Sequence, residues 1–156
     1  MADSIRQDVI DALKTRMATI TTGNGYETNI GTYVKEWYTG DANSDNIPML
    51  NIVDESVDIR MEGDELGGIR MGKERHEMDV TLEVRLSNGT STSTTLRKAI
   101  ADIYKAMGTD RTLGGILKDS RPRNDQIKIE QNDKVVGLAN VSLSLFYETS
   151  LFNPYS

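Results

Sequence analysis

Apolar side chains return at three- and four-residue steps through Ile5, Val9, Ile10, Leu13, Met17 and Ile20, the spacing of one face of an amphipathic helix. Ser4 followed by Gln7 has the form of a capping box, so a helix is predicted over residues 4–20. Thr21-Thr22-Gly23-Asn24-Gly25 then stops it, because glycine and asparagine accept the positive φ that other residues avoid. Residues 26–38 are rich in aromatic and β-branched side chains, the polar run 40–46 interrupts them, and Pro48 opens Met49-Leu50-Asn51-Ile52-Val53. That pattern predicts strand, loop, strand.

Residues 62–77 carry four glycines among many charges with no sustained period, which predicts a long mobile loop. Beyond it Met78, Val80, Leu82, Val84 and Leu86 alternate with Asp79, Thr81, Glu83 and Arg85, a strand with one face on a core and the other in water. Asn88-Gly89 ends that strand. Leu96, Ala99, Ile100, Ile103 and Met107 mark a second amphipathic helix over about 93–107, closed by Gly108. After a polar linker containing Pro122, Ile127 and Ile129 alternate with charged neighbours, Asn132-Asp133 turns the chain, and Ala139, Val141, Leu143, Leu145 and Tyr147 alternate again.

The order helix, strands, helix, hairpin predicts an α+β fold in a single domain over residues 1–156. Its parts are a largely antiparallel sheet, two amphipathic helices on one face, the mobile loop at about 62–77 and a C-terminal β-hairpin. The tail 149–156 holds Leu151, Phe152, Pro154 and Tyr155, which can pack on their own domain or dock on a neighbour.

Composition adjusts this picture modestly. The chain has 156 residues, 37% of them hydrophobic and 27% charged, with 13 glycines, which describes one folded core with much solvated chain. It has no cysteine, so disulfides, thiolate metal sites and cysteine nucleophiles are excluded. The first residues mix charge into every turn, and no stretch reaches membrane-spanning length, so neither export nor membrane insertion is expected. A net charge of −6 opposes nonspecific adhesion to nucleic acid. Arg111, Lys118, Arg121, Arg123 and Lys128 form the one basic-rich stretch, read as a solvated loop in preference to a partner site.

Candidate chemistry is thin. Gly67, Gly72 and Lys73 have P-loop spacing, but Glu74 stands where a hydroxyl should hold magnesium and would repel phosphate. Asp41, Asn43 and Asp45 match the first ligands of a calcium loop, yet Asn46 replaces the turn glycine and Ile52 the closing glutamate. His76 is the only histidine, read as a surface residue with no second imidazole to relay protons. The carboxylates Glu62, Asp64, Glu65, Glu74, Glu77 and Asp79 read as a solvated charge run. Trp37, Tyr33 and Tyr38 read as core or sheet-face packing, not as a stacking platform for bases. No catalytic residue, cofactor or metal is therefore expected.

Several local patterns occur in a set order: the first helix, then Gly25-Tyr26-Glu27-Thr28 and Val34, Pro48-Met49-Leu50-Asn51-Ile52, Ala101-Asp102-Ile103-Tyr104-Lys105-Ala106, Asp110-Arg111-Thr112-Leu113-Gly114-Gly115, and a closing strand ending in Phe146-Tyr147. In this layout the chain resembles the tail terminator and tail-completion proteins of long-tailed bacteriophages, across nearly its whole length. The resemblance implies a structural virion protein, not an enzyme, assembled in the host cytoplasm. It further implies a ring, usually of six copies, that caps the tail tube, stops its polymerisation and meets the head connector while DNA passes through. The implied partners are other copies, the tail-tube protein and the connector, with no membrane. A neck protein joining head to tail is the alternative within this class; a small divalent-metal enzyme or ligand-binding domain is the alternative outside it. Candidate subunit or tube contacts are Glu62, Asp64, Glu65, Arg70, Lys73 and Glu74 in the loop, Arg121 and Arg123 before the hairpin, and Phe152 and Tyr155 in the tail.

Overall fold

A computed structural model describes residues 2–40, 47–61, 72–87, 91–131 and 135–156. Helix α1 (Ile5–Ala18) starts at Ser4, whose hydroxyl accepts the Gln7 amide at 3.2 Å. Only half of the expected capping box forms, because the Gln7 amide side chain turns forward to Asp11 instead of back to Ser4. The helix ends two residues before Ile20, yet Ile20 keeps its place in the core through its amide bond to the Met17 carbonyl. Gly25 takes the left-handed conformation expected at the turn, with φ of 85°.

Residues 26–33 do not form the expected strand. The Glu27 and Thr28 amides reach the Asp102 side chain and the Gly31 amide reaches the Ile20 carbonyl, while the Tyr33 carbonyl accepts the Leu50 amide. Only β1 (Val34–Glu36) is extended, and it pairs in parallel with β2 (Met49–Met61) from Val34 against Leu50 to Glu36 against Ile52. Strand β3 (Lys73–Leu86) runs antiparallel to β2, followed by α2 (Thr92–Thr109), β4 (Asp119–Gln131) and β5 (Val135–Ser150). The sheet order is β1-β2-β3-β5-β4, mixed but mostly antiparallel, which is the α+β class expected.

Both helices lie on one face of this sheet. Met78, Val80, Leu82, Val84 and Leu86 of β3 and Ala139, Val141, Leu143, Leu145 and Tyr147 of β5 join α1 and α2 in a single apolar cluster. Each buried valine, leucine or methionine among them contributes about 1.5–3 kcal/mol by leaving water. On β3 the alternation read from the sequence is therefore the observed one, with Asp79, Thr81, Glu83 and Arg85 half-buried on the other face.

Three boundaries differ from expectation. Residues 73–77 belong to β3 and not to a loop, because pairing with β2 and β5 on both sides satisfies their backbone despite the charged sequence; residues 62–71 lie outside the described set. Helix α2 runs through Gly108 and stops at Asp110. Pro122 stands inside β4, where an edge strand tolerates its missing N–H, beside a bulge at Arg123. The runs 41–46, 88–90 and 132–134, which hold the calcium-like residues Asp41, Asn43 and Asp45, are likewise outside the described residues.

The strands are long. Sixteen residues in β5 span roughly 50 Å, while the 14 residues of α1 and 18 of α2 cover about 21 and 27 Å. Helices of that length leave the far end of β2, β3 and β5 projecting as an arm. Among the described residues, β2 beyond Ile52 pairs only with β3.

Candidate interaction surface

The arm is closed on its helix side by the chain end. Past Ser150 the tail folds back: the Leu151 amide bonds to the Gly72 carbonyl, Asn153 bridges to Ser150, and the Pro154 carbonyl takes the otherwise free Ile5 amide of α1 at 2.8 Å. The Phe152 amide donates to Glu74 Oε1 at 3.1 Å. Glu74 is thus buried, not part of a solvated charge run. Its other oxygen lies 3.4 Å from His76 Nε2, which also meets Thr149 Oγ1 at 2.9 Å, and the imidazole stacks on Tyr147 with centroids 4.7 Å apart. His76 is 8% exposed and not the surface residue expected; alternation from Met78 places it on the inward face once β3 is extended to Lys73. Burial pushes the Tyr147 phenol above its ordinary pKa.

Trp37 also departs from expectation. It is 56% exposed at a φ of 47°, with its indole N–H donating to Asp54 Oδ1 at 2.7 Å while Arg6 of α1 holds Oδ2. The Asn51 side chain fixes the backbone of Tyr38 on the opposite sheet face, and Tyr33 is 39% exposed, so none of the three aromatic residues enters the main apolar cluster.

At the other edge, β4 is exposed at every position from 121 to 129. Arg121, Arg123 and Lys128 sit on this strand and not in a loop, each paired: Arg123 with Asp79 across the sheet, Arg121 with Asp119, Lys128 with Glu130. Arg121 also lies over the Phe146 ring at 5.2 Å. Ile127 and Ile129 are 39% and 48% exposed. Between α2 and β4 a cleft of about 580 Å³ is lined by Tyr104, Met107, Gly108, Arg111, Ser120, Arg121, Pro122 and Leu143. Partial burial and the Asp125 carboxylate at 2.7 Å push the Tyr104 phenol up to about 12, so it stays a neutral hydrogen-bond donor. Arg111 and Arg121 share the single carboxylate of Asp119 at the rim.

The ten expected contact residues therefore divide. Glu62, Asp64, Glu65 and Arg70 lie outside the described residues. Lys73, Glu74, Phe152 and Tyr155 stand together around the arm, where Phe152 is 90% and Tyr155 57% exposed. Arg121 and Arg123 are on β4, at the other edge of the sheet. Sequence reading missed the cleft, whose walls come from α2, the segment after it, β4 and β5, which only the fold brings together. It also missed Asp102 as a structural anchor, although an aspartate between Ala99 and Ala106 on the apolar stripe of a helix was a usable signal.

Among the described residues, no three metal-ligating side chains come together, every buried side-chain polar atom has a partner, and no helix is long and apolar enough to cross a membrane. No protein-family model and no curated protein matches the chain.

Proposed function

We propose that this chain is a structural protein that closes into a ring with copies of itself and, as the terminator of a phage tail, caps the tube and meets the head connector. The observation that carries the reading is the pair of long edges that the described residues leave unpaired on one sheet: β4 over 13 residues on one side, and β2 beyond Ile52 on the other. An uncovered edge offers a row of backbone donors and acceptors to another strand. Because the two edges are different surfaces, joining them is a heterologous contact, which produces a closed ring when the rotation per copy closes.

The edge chemistry fits a regulated contact more than indiscriminate aggregation. Pro122, the bulge at Arg123 and the paired charges of β4 disfavour a random incoming strand, while Ile127 and Ile129 leave an apolar strip for a matched one. The phage-tail assignment adds to this the ordered resemblance set out from the sequence, and the acidic balance of −6 suits a ring through which DNA slides without adhering. On this reading the protein has no enzymatic activity of its own.

Tube polymerisation tests the reading. Purified tail-tube protein from the same phage, polymerised with increasing amounts of this chain, should give progressively shorter tubes bearing a ring at one end in electron micrographs. Tubes of unchanged length with bare ends would sink it.

A further inference from the structure

Among the described residues, the large aliphatic side chains left exposed are three isoleucines, and all three stand at the two edges of the sheet. Ile59 on β2 is 58% exposed, and Ile127 and Ile129 on β4 are 39% and 48% exposed. They also share a face. On β3, His76 is opposite Ile59 and Met78 opposite Val57, and on β5 Ala139 is opposite Ile127, all on the side that carries the helices. Ile129, two residues on from Ile127, keeps that side. A sheet continued from one copy to the next would bury both strips.

Strand direction fixes how two copies meet. β2 runs antiparallel to β3, β3 to β5 and β5 to β4, so β4 runs antiparallel to β2. A neighbour with its helices on the same side therefore presents β4 antiparallel to β2. The slot on β2 begins past Ile52, where β1 ends, and the part of β4 beyond Pro122 and the bulge at Arg123 is clear of both obstacles. Within these limits one register matches. It sets Val57 opposite Ile129 and Ile59 opposite Ile127 on the helix face, and Asp58 opposite Lys128 on the other face, where both are exposed. A slip of two residues one way sets Asp58 against Glu130 and Arg60 against Lys128; the other way it sets Ile59 against Asp125 and Glu55 against Ile129. Like charges directly opposite destabilise a strand pair, whereas apolar pairs and opposite charges support it. A slip of one residue turns the apolar strip to the wrong face.

Self-pairing of either edge covers less. β2 against a second β2 sets Ile59 on Ile59 and Asp58 on Arg60, but leaves Ile127 and Ile129 in water. β4 against a second β4, placed to pair both isoleucines, sets Lys128 on Lys128. We infer that β2 of one copy and β4 of the next form a continuous antiparallel sheet, with Ile59 packed on Ile127 and Asp58 paired with Lys128. This rests on the ring reading and specifies its joint. Ile59 is level with His76 of β3, and Ile127, through Ala139, is level with Val84. Neighbouring copies are therefore staggered along the strands, as the tilted strands of a closed barrel require.

The chain has no cysteine, which makes directed cross-linking clean. Ile59→Cys and Ile127→Cys are made in separate chains, mixed and mildly oxidised; directly opposite residues bring their Cβ atoms to about 4.5–5.5 Å, near disulfide distance. The expected product is a linked heterodimer at several times the yield of either variant alone, and of an Ile59→Cys and Ile129→Cys mixture. In the otherwise native chain, Asp58→Lys should raise the concentration of half-assembly several-fold with little change in melting temperature, and adding Lys128→Asp should bring it back toward the parent. If native chains form a defined multimer but the mixture links no better than its single variants, this joint is wrong and the ring survives. If Ile59→Cys links to itself and native chains stop at dimers, β2 meets β2 and both readings fall. Monomers at every concentration overturn both as well.

Discussion

The Asp102 carboxylate of α2 lies 2.7 Å from the Thr28 hydroxyl in the interior, and it also accepts the Thr28 amide at 2.8 Å and the Glu27 amide at 3.1 Å. One acidic side chain thereby satisfies three donors of a segment that has no strand neighbour, and fixes the turn after α1 to the second helix. Asp102→Ala should cost roughly 3 kcal/mol, because it leaves buried donors unpaired. Asp102→Asn should recover only part of this, since its NH₂ faces amides that also donate. Urea unfolding of the three proteins checks the order; equal midpoints would show that the turn finds other partners.

Two glycines should respond with opposite signs. A Cβ on Gly31 would stand 2.5, 2.8 and 2.9 Å from the carbonyl oxygens of Met17, Ile20 and Ala18, and backbone at the end of α1 cannot move aside cheaply. Gly31→Ala should therefore destabilise by about 2 kcal/mol or more. Gly108 lies in α2 with open space around it, so Gly108→Ala should stabilise by about 0.5–1 kcal/mol. Thermal melts of both variants, read beside the parent, decide the matter.

The fold was legible where one face of an element was plainly apolar. Met78 to Leu86, Leu96 to Met107 and Ala139 to Tyr147 each repeat at the period of the element they form. It was illegible where a charged sequence is ordered by neighbours. Lys73-Glu74-Arg75-His76-Glu77 has no apolar residue, and becomes strand because β2 and β5 flank it and the tail covers Glu74 and His76. Tyr26-Glu27-Thr28 reads as strand by residue type, but the Glu27 and Thr28 amides go to Asp102, whose distance in sequence no local pattern reveals. Of the candidate contacts, Phe152 and Tyr155 could be picked out as the aromatic residues of the tail, whereas the cleft is built from residues of α2, β4 and β5 that are far apart in sequence.

Acid should loosen the loop between α2 and β4 before the core. Hydrogen bonds from the Thr112 hydroxyl and the Gly114 and Thr112 amides lower the Asp110 pKa, with Arg16 adding to them. At Asp119 partial burial works the other way, but the bonds from Arg121 and the Ser120 amide, together with the charge of Arg111, outweigh it and lower that pKa too. Both groups bind protons less tightly folded than unfolded, so their contribution is complete above the ordinary carboxylate range near 4 and is lost as pH falls through their lower folded values. Asp110→Asn should flatten the acid limb of stability against pH; an unchanged limb would show that other carboxylates dominate it.

The exposed isoleucines of β4 separate folding from assembly. Ile127→Lys with Ile129→Lys should leave monomer stability within about 0.5 kcal/mol of the parent, since both side chains already face solvent. The same pair should weaken self-association, because it places charge on the apolar strip that a neighbouring strand would cover. Preserved melting with unchanged assembly would remove β4 from the joint.

The claim that this chain works by closing on copies of itself is tested most directly by its mass in solution across a wide concentration range. The account predicts a single multimer of defined size, with no larger species growing as concentration rises, since a ring has no free edge to extend. A 17.3 kDa monomer at every concentration would contradict it, and so would an open series of ever larger oligomers.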